Sequence, residues 1–341
     1  MNKEPKKTKA RPIVGVTLGD INGIGPEVVI KSLEGNKILN QVTPVIYGSS
    51  KIISYYRKAL NRNNFNFTQI KNIEGVIHRK VNVLNCWEDM VELKPGEVNE
   101  NGGKYAFISL EHCTKDLLAG KLDAMVTAPI NKHNIQNENF QFAGHTEYLA
   151  DVCDQADHLM LLVSEAFRVG VVTGHMPLKD VADAIDKETV TSKLNMMIKT
   201  VKKDFGISKP KIAVLGLNPH AGEDGLLGNE EQEIIQPVID EMKHKGQLIM
   251  GPYPADGFFG SGQHMKFDGI LAMYHDQGLI PFKALAFSTG VNYTAGLPIV
   301  RTSPDHGTAY SIAGKGEADE SSMRSAIYMA IDIANQRSEH A

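Results

Sequence analysis

The chain has 341 residues, enough to bury a large core and to divide into two domains. Its 42% hydrophobic and 22% charged residues are the proportions of a soluble globular protein, and 36 basic against 40 acidic residues leave a net charge of -4. That balance excludes charge-driven binding to nucleic acid or an anionic membrane, and no apolar run approaches the length that spans a bilayer.

The first eleven residues, MNKEPKKTKAR, are rich in cations and lack an apolar core, which predicts a solvated, disordered leader over 1–11 and no signal peptide. Residues 13–18 (IVGVTL) read as a strand, followed by the turn GDINGIGPE and a helix with Pro26 near its first position. The turn is no dinucleotide fingerprint, because Val28 stands where G-x-G-x-x-G needs its third glycine; a tight strand-to-helix connection explains it equally well. Further strands are expected at 42–47, 81–84, 124–127, 159–163, 169–173, 212–215 and 270–273. Helices are expected at 50–60, 104–119, 187–204, 230–244 and 321–337. Strands that are continuous apolar runs predict a parallel sheet covered by helices on both faces, an α/β fold. Cys113 falls in step with Ala106, Leu110 and Leu117 on one helical face, a packing position; it, Cys86 and Cys153 form no C-x-x-C pair and fit the reduced thiols of a cytoplasmic protein. With no long linker, the expected domains are 12–130 together with 290–341, the last helix returning to the first domain, and 131–289.

The stretch from Asp268 to Tyr310 has the composition of a site. A buried strand ends on Tyr274-His275-Asp276, and Lys283, Asn292, Arg301, Asp305 and His306 follow among glycines and prolines, where loops are expected to bring cations to a rim. His175, His220 and His275 each follow a strand-like run, so all three are able to face one crevice, with Asp256 and Asp276 close in sequence. Three imidazoles with an open fourth position suit a catalytic divalent ion, although each alone also suits an ordinary loop hydrogen bond. His145 and Thr146 follow Gly144 at a helix start, where free N–H groups suit an anion, or where Thr146 simply caps the helix. Lys283 and Arg301, flanked by apolar and glycine residues, suit clamps on phosphate or carboxylate, or structural ion pairs.

GDINGIGPE, VTAPINK (126–132), GHTEYLAD (144–151), GLNPHAGEDG (216–225), PADGFF (254–259), AMYHDQG (272–278) and VNYTAGLPIVRTSPDHGTA (291–309) together resemble the 4-hydroxythreonine-4-phosphate dehydrogenase family. The resemblance runs in order from about residue 12 to about residue 320. It implies a two-domain α/β/α subunit like isocitrate and isopropylmalate dehydrogenases, and a homodimer with the active site at the subunit interface. It also implies NAD or NADP and one divalent metal, zinc, magnesium or cobalt. The implied metal ligands are His175, His220 and His275, most of them in the second domain; the implied substrate contacts are His145, Thr146, Lys283, Asn292 and Arg301. Asp305, His306 and Gly307 are the implied nucleotide contacts; Lys283, Asp256 and Asp276 are the catalytic candidates. The implied reaction oxidises 4-phosphooxy-L-threonine to 2-amino-3-oxo-4-(phosphooxy)butanoate, which decarboxylates to 3-amino-2-oxopropyl phosphate on the way to pyridoxine 5'-phosphate. Ile21-Asn22 stand where the family usually has Pro-Ala, and Leu226-Leu227 where glycine is commoner. Sister enzymes act on 4-phosphothreonate or 4-phosphoerythronate, so the exact acid stays open. A metal-dependent hydrolase and a non-catalytic binding protein are the alternatives from other classes.

Overall fold

Short β-branched runs, too brief for buried helices, become the strands of two α/β units in this computed structural model, which describes residues 11–155 and 157–339. The expected leader lies outside the described residues except for Arg11. One unit comprises Met1–Asn137 and Gly307–Glu320, the other Glu138–His306 and Ser321–Ala341. Among the described residues no helix is long and apolar enough to cross a membrane.

In the first unit, strands β1 (Ile13–Thr17), β2 (Thr43–Gly48), β3 (Phe67–Ile70), β4 (Val81–Asn85) and β5 (Ala124–Thr127) lie in the order β3-β4-β2-β1-β5. All of these neighbours pair in parallel. The helices are α1 (Gly25–Leu33), α2 (Asn36–Leu39), α3 (Ser50–Ala59) and α4 (Glu100–Leu118). Side-chain oxygens start two of them: Ser49 caps α3 through Lys51 N, and Asn99 caps α4 through Gly102 N. Ala106, Leu110, Cys113 and Leu117 are all buried on α4, as their spacing predicts.

The glycine turn after β1 is organised by a buried carboxylate. Asp20 accepts hydrogen bonds from Asn22 N (2.9 Å), Asn134 Nδ2 (2.7 Å) and Tyr310 OH (2.7 Å). Lys31 Nζ donates to Glu27 Oε1 (2.7 Å) and to the carbonyls of Gly316 (2.9 Å) and Ala318 (2.7 Å). These bonds tie the returning segment 307–320 to the first unit. Asn22, one of the family departures, is buried and receives Lys94 N on Oδ1 (2.9 Å) while its Nδ2 donates to Asn99 Oδ1 (2.9 Å). The turn's conformation is thus explained by internal bonds alone.

In the second unit, β6 (Leu159–Val163), β7 (Arg168–Thr173), β8 (Lys211–Leu215), β9 (Leu248–Tyr253), β10 (Gly269–Tyr274), β11 (Val291–Ala295) and β12 (Arg301–Pro304) follow the order β12-β11-β6-β7-β10-β8-β9. The helices are α5 (His145–Val152), α6 (Lys187–Lys203), α7 (Gln236–His244), α8 (Ala255–Gly260), α9 (His275–Ala286) and α10 (Ser321–Glu339). Here the expected all-parallel sheet is corrected. β11 runs antiparallel to both β12 and β6, and β6 antiparallel to β7, whereas β7, β10, β8 and β9 pair in parallel. β6, LMLLV, is almost wholly buried and so has the apolar look of a parallel strand, whereas β11, VNYTA, was not expected as a strand.

The expected domain division is also corrected. α10 does not return to the first unit; it packs on β11 and β12, where Thr302 Oγ1 donates to Ala326 O (2.8 Å). Near its end Arg337 donates through Nε to Asp204 Oδ1 (2.7 Å) and through Nη2 to Tyr293 OH (3.0 Å), and Tyr293 OH donates to Asp204 Oδ2 (2.6 Å). The core of the second unit gathers Val169, Val171, Ala213, Ile270 and Ala272 from the sheet with Leu279, Phe282 and Ala286 from α9. Gly278 permits that packing, since a Cβ there would stand 2.8 Å from Val169 Cγ1 and 3.1 Å from Ala272 Cβ.

Candidate active site

The polar residues that the sequence analysis assigned to loops are mostly on regular elements. Lys283 lies on α9, Asn292 on β11 and Arg301 on β12, and His275 is the first residue of α9. Helix α9 escapes a sequence reading because Pro281 sits within it and Gly278 weakens its pattern.

Antiparallel pairing of β11 with β12 sets Asn292 opposite Ser303 and Tyr293 opposite Thr302. Alternation along each strand then puts Asn292, Thr294, Arg301 and Ser303 on one face, with Tyr293 and Thr302 on the other, toward α10. Arg301 is 3% exposed, and its Nη1 donates to Thr294 Oγ1 at 3.3 Å. Burial lowers its pKa to about 10, with Glu147 acting in the opposite direction. Thr294 Oγ1 in turn lies 3.5 Å from Thr146 Oγ1. Thr146 belongs to the first turn of α5, whose N-cap is Gly144 and not Thr146, without a side-chain cap. The backbone N–H groups that begin α5 therefore stand beside Thr146 and Thr294, an arrangement suited to an anion. Thr294 was not among the residues singled out from sequence; its place two residues after Asn292 on a strand was the signal available.

Asn292 Oδ1 is buried and has no hydrogen-bond partner among the described residues. On the adjacent strand end, Asp305 Oδ1 pairs with Lys283 Nζ at 3.2 Å, and Asp305 Oδ2 is likewise buried without a partner. Ser322 Oγ, at the start of α10, accepts Asp305 N (3.0 Å) and donates to Gly290 O (2.6 Å), fixing this corner. Burial raises the pKa of Asp305, against the pull of Lys283, His306 and His275. His306 is half-buried beside it, and Gly307 is exposed and opens the segment belonging to the first unit.

Two of the three candidate ligand histidines lie together. His175 and His275 face each other with ring centroids 5.4 Å apart, and His275 Nδ1 lies 2.7 Å from Asp276 Oδ1. With Nδ1 protonated, the imidazole donates to that carboxylate and keeps its Nε2 lone pair for a metal, a common arrangement in metal sites. His220 lines an open groove of about 500 Å³ together with Asn218, Asp256, Tyr274, Asp276 and Gln277, so the residues on either side of His275 reach the same groove. Among the described residues no group of three or more His, Cys, Asp or Glu could hold a metal ion. The structure pairs His175 with His275 and sets His220 with Asp256 and Asp276 in the groove. Two neighbours of His220 were missed by the sequence reading. Glu231 is 3% exposed and bonded to the His220 loop, and Gln277 joins Met273 N (2.7 Å) to Gly216 O (2.6 Å).

Comparison with known proteins identifies the family. The family model described as pyridoxal phosphate biosynthetic protein PdxA matches residues 40–330. A 4-hydroxythreonine-4-phosphate dehydrogenase of Bacteroides thetaiotaomicron is 51% identical over 325 residues, covering 95% of this chain and 89% of its own. A protein of Oceanobacillus iheyensis, provisionally named D-threonate 4-phosphate dehydrogenase, is 40% identical over 328 residues, 95% of this chain and 98% of its own. Among solved structures, the 4-hydroxythreonine-4-phosphate dehydrogenase of Klebsiella pneumoniae superposes with a TM-score of 0.82 at 36% identity, over 96% of this chain and 99% of that one. With a family model and end-to-end relatives in agreement, the chain belongs to the pyridoxal phosphate biosynthetic PdxA family.

Proposed function

We propose that the protein oxidises the secondary alcohol of 4-phosphooxy-L-threonine with NAD or NADP, giving a β-keto acid that loses carbon dioxide to leave 3-amino-2-oxopropyl phosphate. The observation that carries the reading is the joined set on one face of the second unit: buried Arg301, Thr294, Thr146 at an uncapped helix start, and the unpartnered Asn292 acceptor. Arg301 and the first turn of α5 offer charge and N–H donors to a phosphate or carboxylate, and His145 at that turn orients the same end. Asn292 Oδ1 accepts from a substrate amine or hydroxyl. Lys283 Nζ, held against Asp305, brings a proton to the reacting end. Asp305 Oδ2, buried without a partner, suits a ribose hydroxyl of the dinucleotide, with His306 and Gly307 beside it.

The donor set fits a divalent metal in part within one chain, since the His175–His275 pair supplies two imidazoles and Asp276 orients one of them. His220 of a second copy completes the set, which makes the working unit a homodimer with its sites at the interface; Asp256 stands beside the imidazole that each copy contributes. Such an ion, when bound, would act as a Lewis acid and lower the pKa of a coordinated hydroxyl. Three free cysteines are consistent with a cytoplasmic location.

The test is reduction of NAD and NADP, followed optically, across 4-phosphooxy-L-threonine, 4-phosphothreonate and 4-phosphoerythronate. Fastest turnover with the first, accompanied by carbon dioxide, is expected. The Oceanobacillus relative's name favours the second acid as the alternative reading, and preference for it would replace the first. No cofactor reduction with any of them would refute an oxidoreductase of this class. For the composite site, co-expressed His220→Ala and His275→Ala subunits should regain about half of the activity per heterodimer, since one of two symmetric sites is then intact. His175→Ala with His275→Ala should regain none.

A further inference from the structure

The loop bearing His220 has an unusual backbone. Five consecutive residues, His220, Ala221, Gly222, Glu223 and Asp224, have φ of 52°, 52°, 80°, 43° and 56°. Only Gly222 is free of the clash that makes left-handed conformations unfavourable for L-residues, so the surroundings must impose this path. Bonds at the ends of the loop include Ala221 N to Asn218 O (3.1 Å), Leu226 N to Glu223 O (3.1 Å) and Leu227 N to Gly222 O (3.0 Å).

The chief outside anchor is a buried carboxylate. Glu231 Oε1 accepts both Leu217 N and Asn218 N at 2.7 Å, and Oε2 accepts Asn218 Nδ2 at 2.9 Å. Glu230 Oε2 receives the same amide at 2.7 Å. Glu231 opens a single π-helical turn, Glu231–Ile235, leading into α7, the kind of irregularity that re-aims a side chain at functional sites. The space it fills is left by glycines: a Cβ on Gly222 would stand 2.6 Å from Glu231 Oε2, and one on Gly216 would stand 3.0 Å from Oε1. Gly216, the root of the loop, is held from the other side by Gln277, two residues after His275.

We propose that Glu231 is a positioning residue for His220: it never touches substrate or metal, but fixes the strained loop so that the imidazole is presented ready for a metal. This rests on the reading of His220 as a metal ligand. Carboxylates that orient ligands from outside typically matter ten- to a hundredfold in metal affinity.

The experiment measures zinc affinity of the intact protein by competition with a chromophoric chelator, with thermal melting of the metal-free protein alongside. Glu231→Gln keeps one carbonyl oxygen for the two backbone N–H groups but sets an amide nitrogen against Asn218 Nδ2. It should weaken zinc about ten- to a hundredfold while the metal-free protein melts near the wild-type temperature. In a His220→Ala background the same change should cost nothing further, because Glu231 acts through His220. Wild-type affinity in Glu231→Gln with weakened affinity in His220→Ala overturns the positioning role alone, as does a full additional loss in the double variant. Wild-type affinity in His220→Ala removes the metal-ligand reading itself. Should Glu231→Gln not fold, Asn218→Ala, which deletes only the side-chain donor, must show a smaller loss in the same direction; unchanged affinity there overturns the proposal.

Discussion

Replacing Arg301 by Met should make the metal-free, substrate-free protein no less stable and yet impair its use of a phosphorylated substrate. The guanidinium is 3% exposed, and burial draws its pKa from 12.5 to about 10. That difference corresponds to about 3 kcal/mol against the charged form in the folded state. The sign follows: folded and unfolded states are both protonated at neutral pH, so the cost is present at every pH below about 10 and is relieved only above it. The attraction of Glu147 is already inside that figure; against it Met forfeits the bond to Thr294 Oγ1, worth about 1 kcal/mol, and the guanidinium's other contacts. The balance is about 0–2 kcal/mol in favour of Met, an unchanged melting temperature or a rise of up to roughly 4 °C. Substrate should bind about ten- to a hundredfold more weakly, the worth of a charge-assisted bond of about 1.5–3 kcal/mol, while the Michaelis constant for NAD stays put. Thermal melting of the free protein and steady-state kinetics in both substrates read the two halves separately. A fall of several degrees with an unaltered constant for the phosphorylated substrate would mean that Arg301 is a structural cation, and the reasoning would fail.

Arg337→Met should destabilise by about 3–5 kcal/mol in urea unfolding, because it strands Asp204, 4% exposed, without its cation; a loss under about 1 kcal/mol would mean that apolar packing alone holds α10. Asp305→Asn should gain stability relative to wild type at neutral pH, since burial raises the folded pKa of Asp305 above its ordinary value of 3.8. The gain should shrink as pH falls through that raised pKa and vanish below about 3.8, which paired melts across pH will check.

The frame of the fold was readable because burial writes itself into strands such as Ala124–Thr127 and Leu159–Val163, whose bounds match the sequence reading. Strand direction was not readable. A strand buried on both faces has the same apolar run whether its neighbours run with it or against it, so β6 carried no mark of its antiparallel pairing. β12, with the sequence RTSP, was invisible as a strand because it exists to carry Arg301 and Ser303 on one face. The site residues were legible as residue types and, through family motifs, as positions. What no local pattern encodes is the approach of His175 to His275, which depends on strand order. Glu231 was hidden for a related reason: a glutamate in a GNEE run looks solvated, and only tertiary packing reveals its burial.

The return of residues 307–320 to the first unit bears on how the chain is made. Asp20 is buried with Tyr310 as one of its donors, and Glu27 Oε1 accepts Ala318 N at 2.9 Å. A ribosome adding roughly 5–20 residues per second delivers that segment about 180 residues after Asn137, some 10–40 s later. Throughout that interval the emerging first unit holds a carboxylate whose hydroxyl partner has not been synthesised, and the second unit lacks α10 until later still. Vectorial folding of either unit is therefore incomplete until nearly the whole chain has emerged, and a cut after Asn137 gives an N-terminal piece missing the bonds that close it.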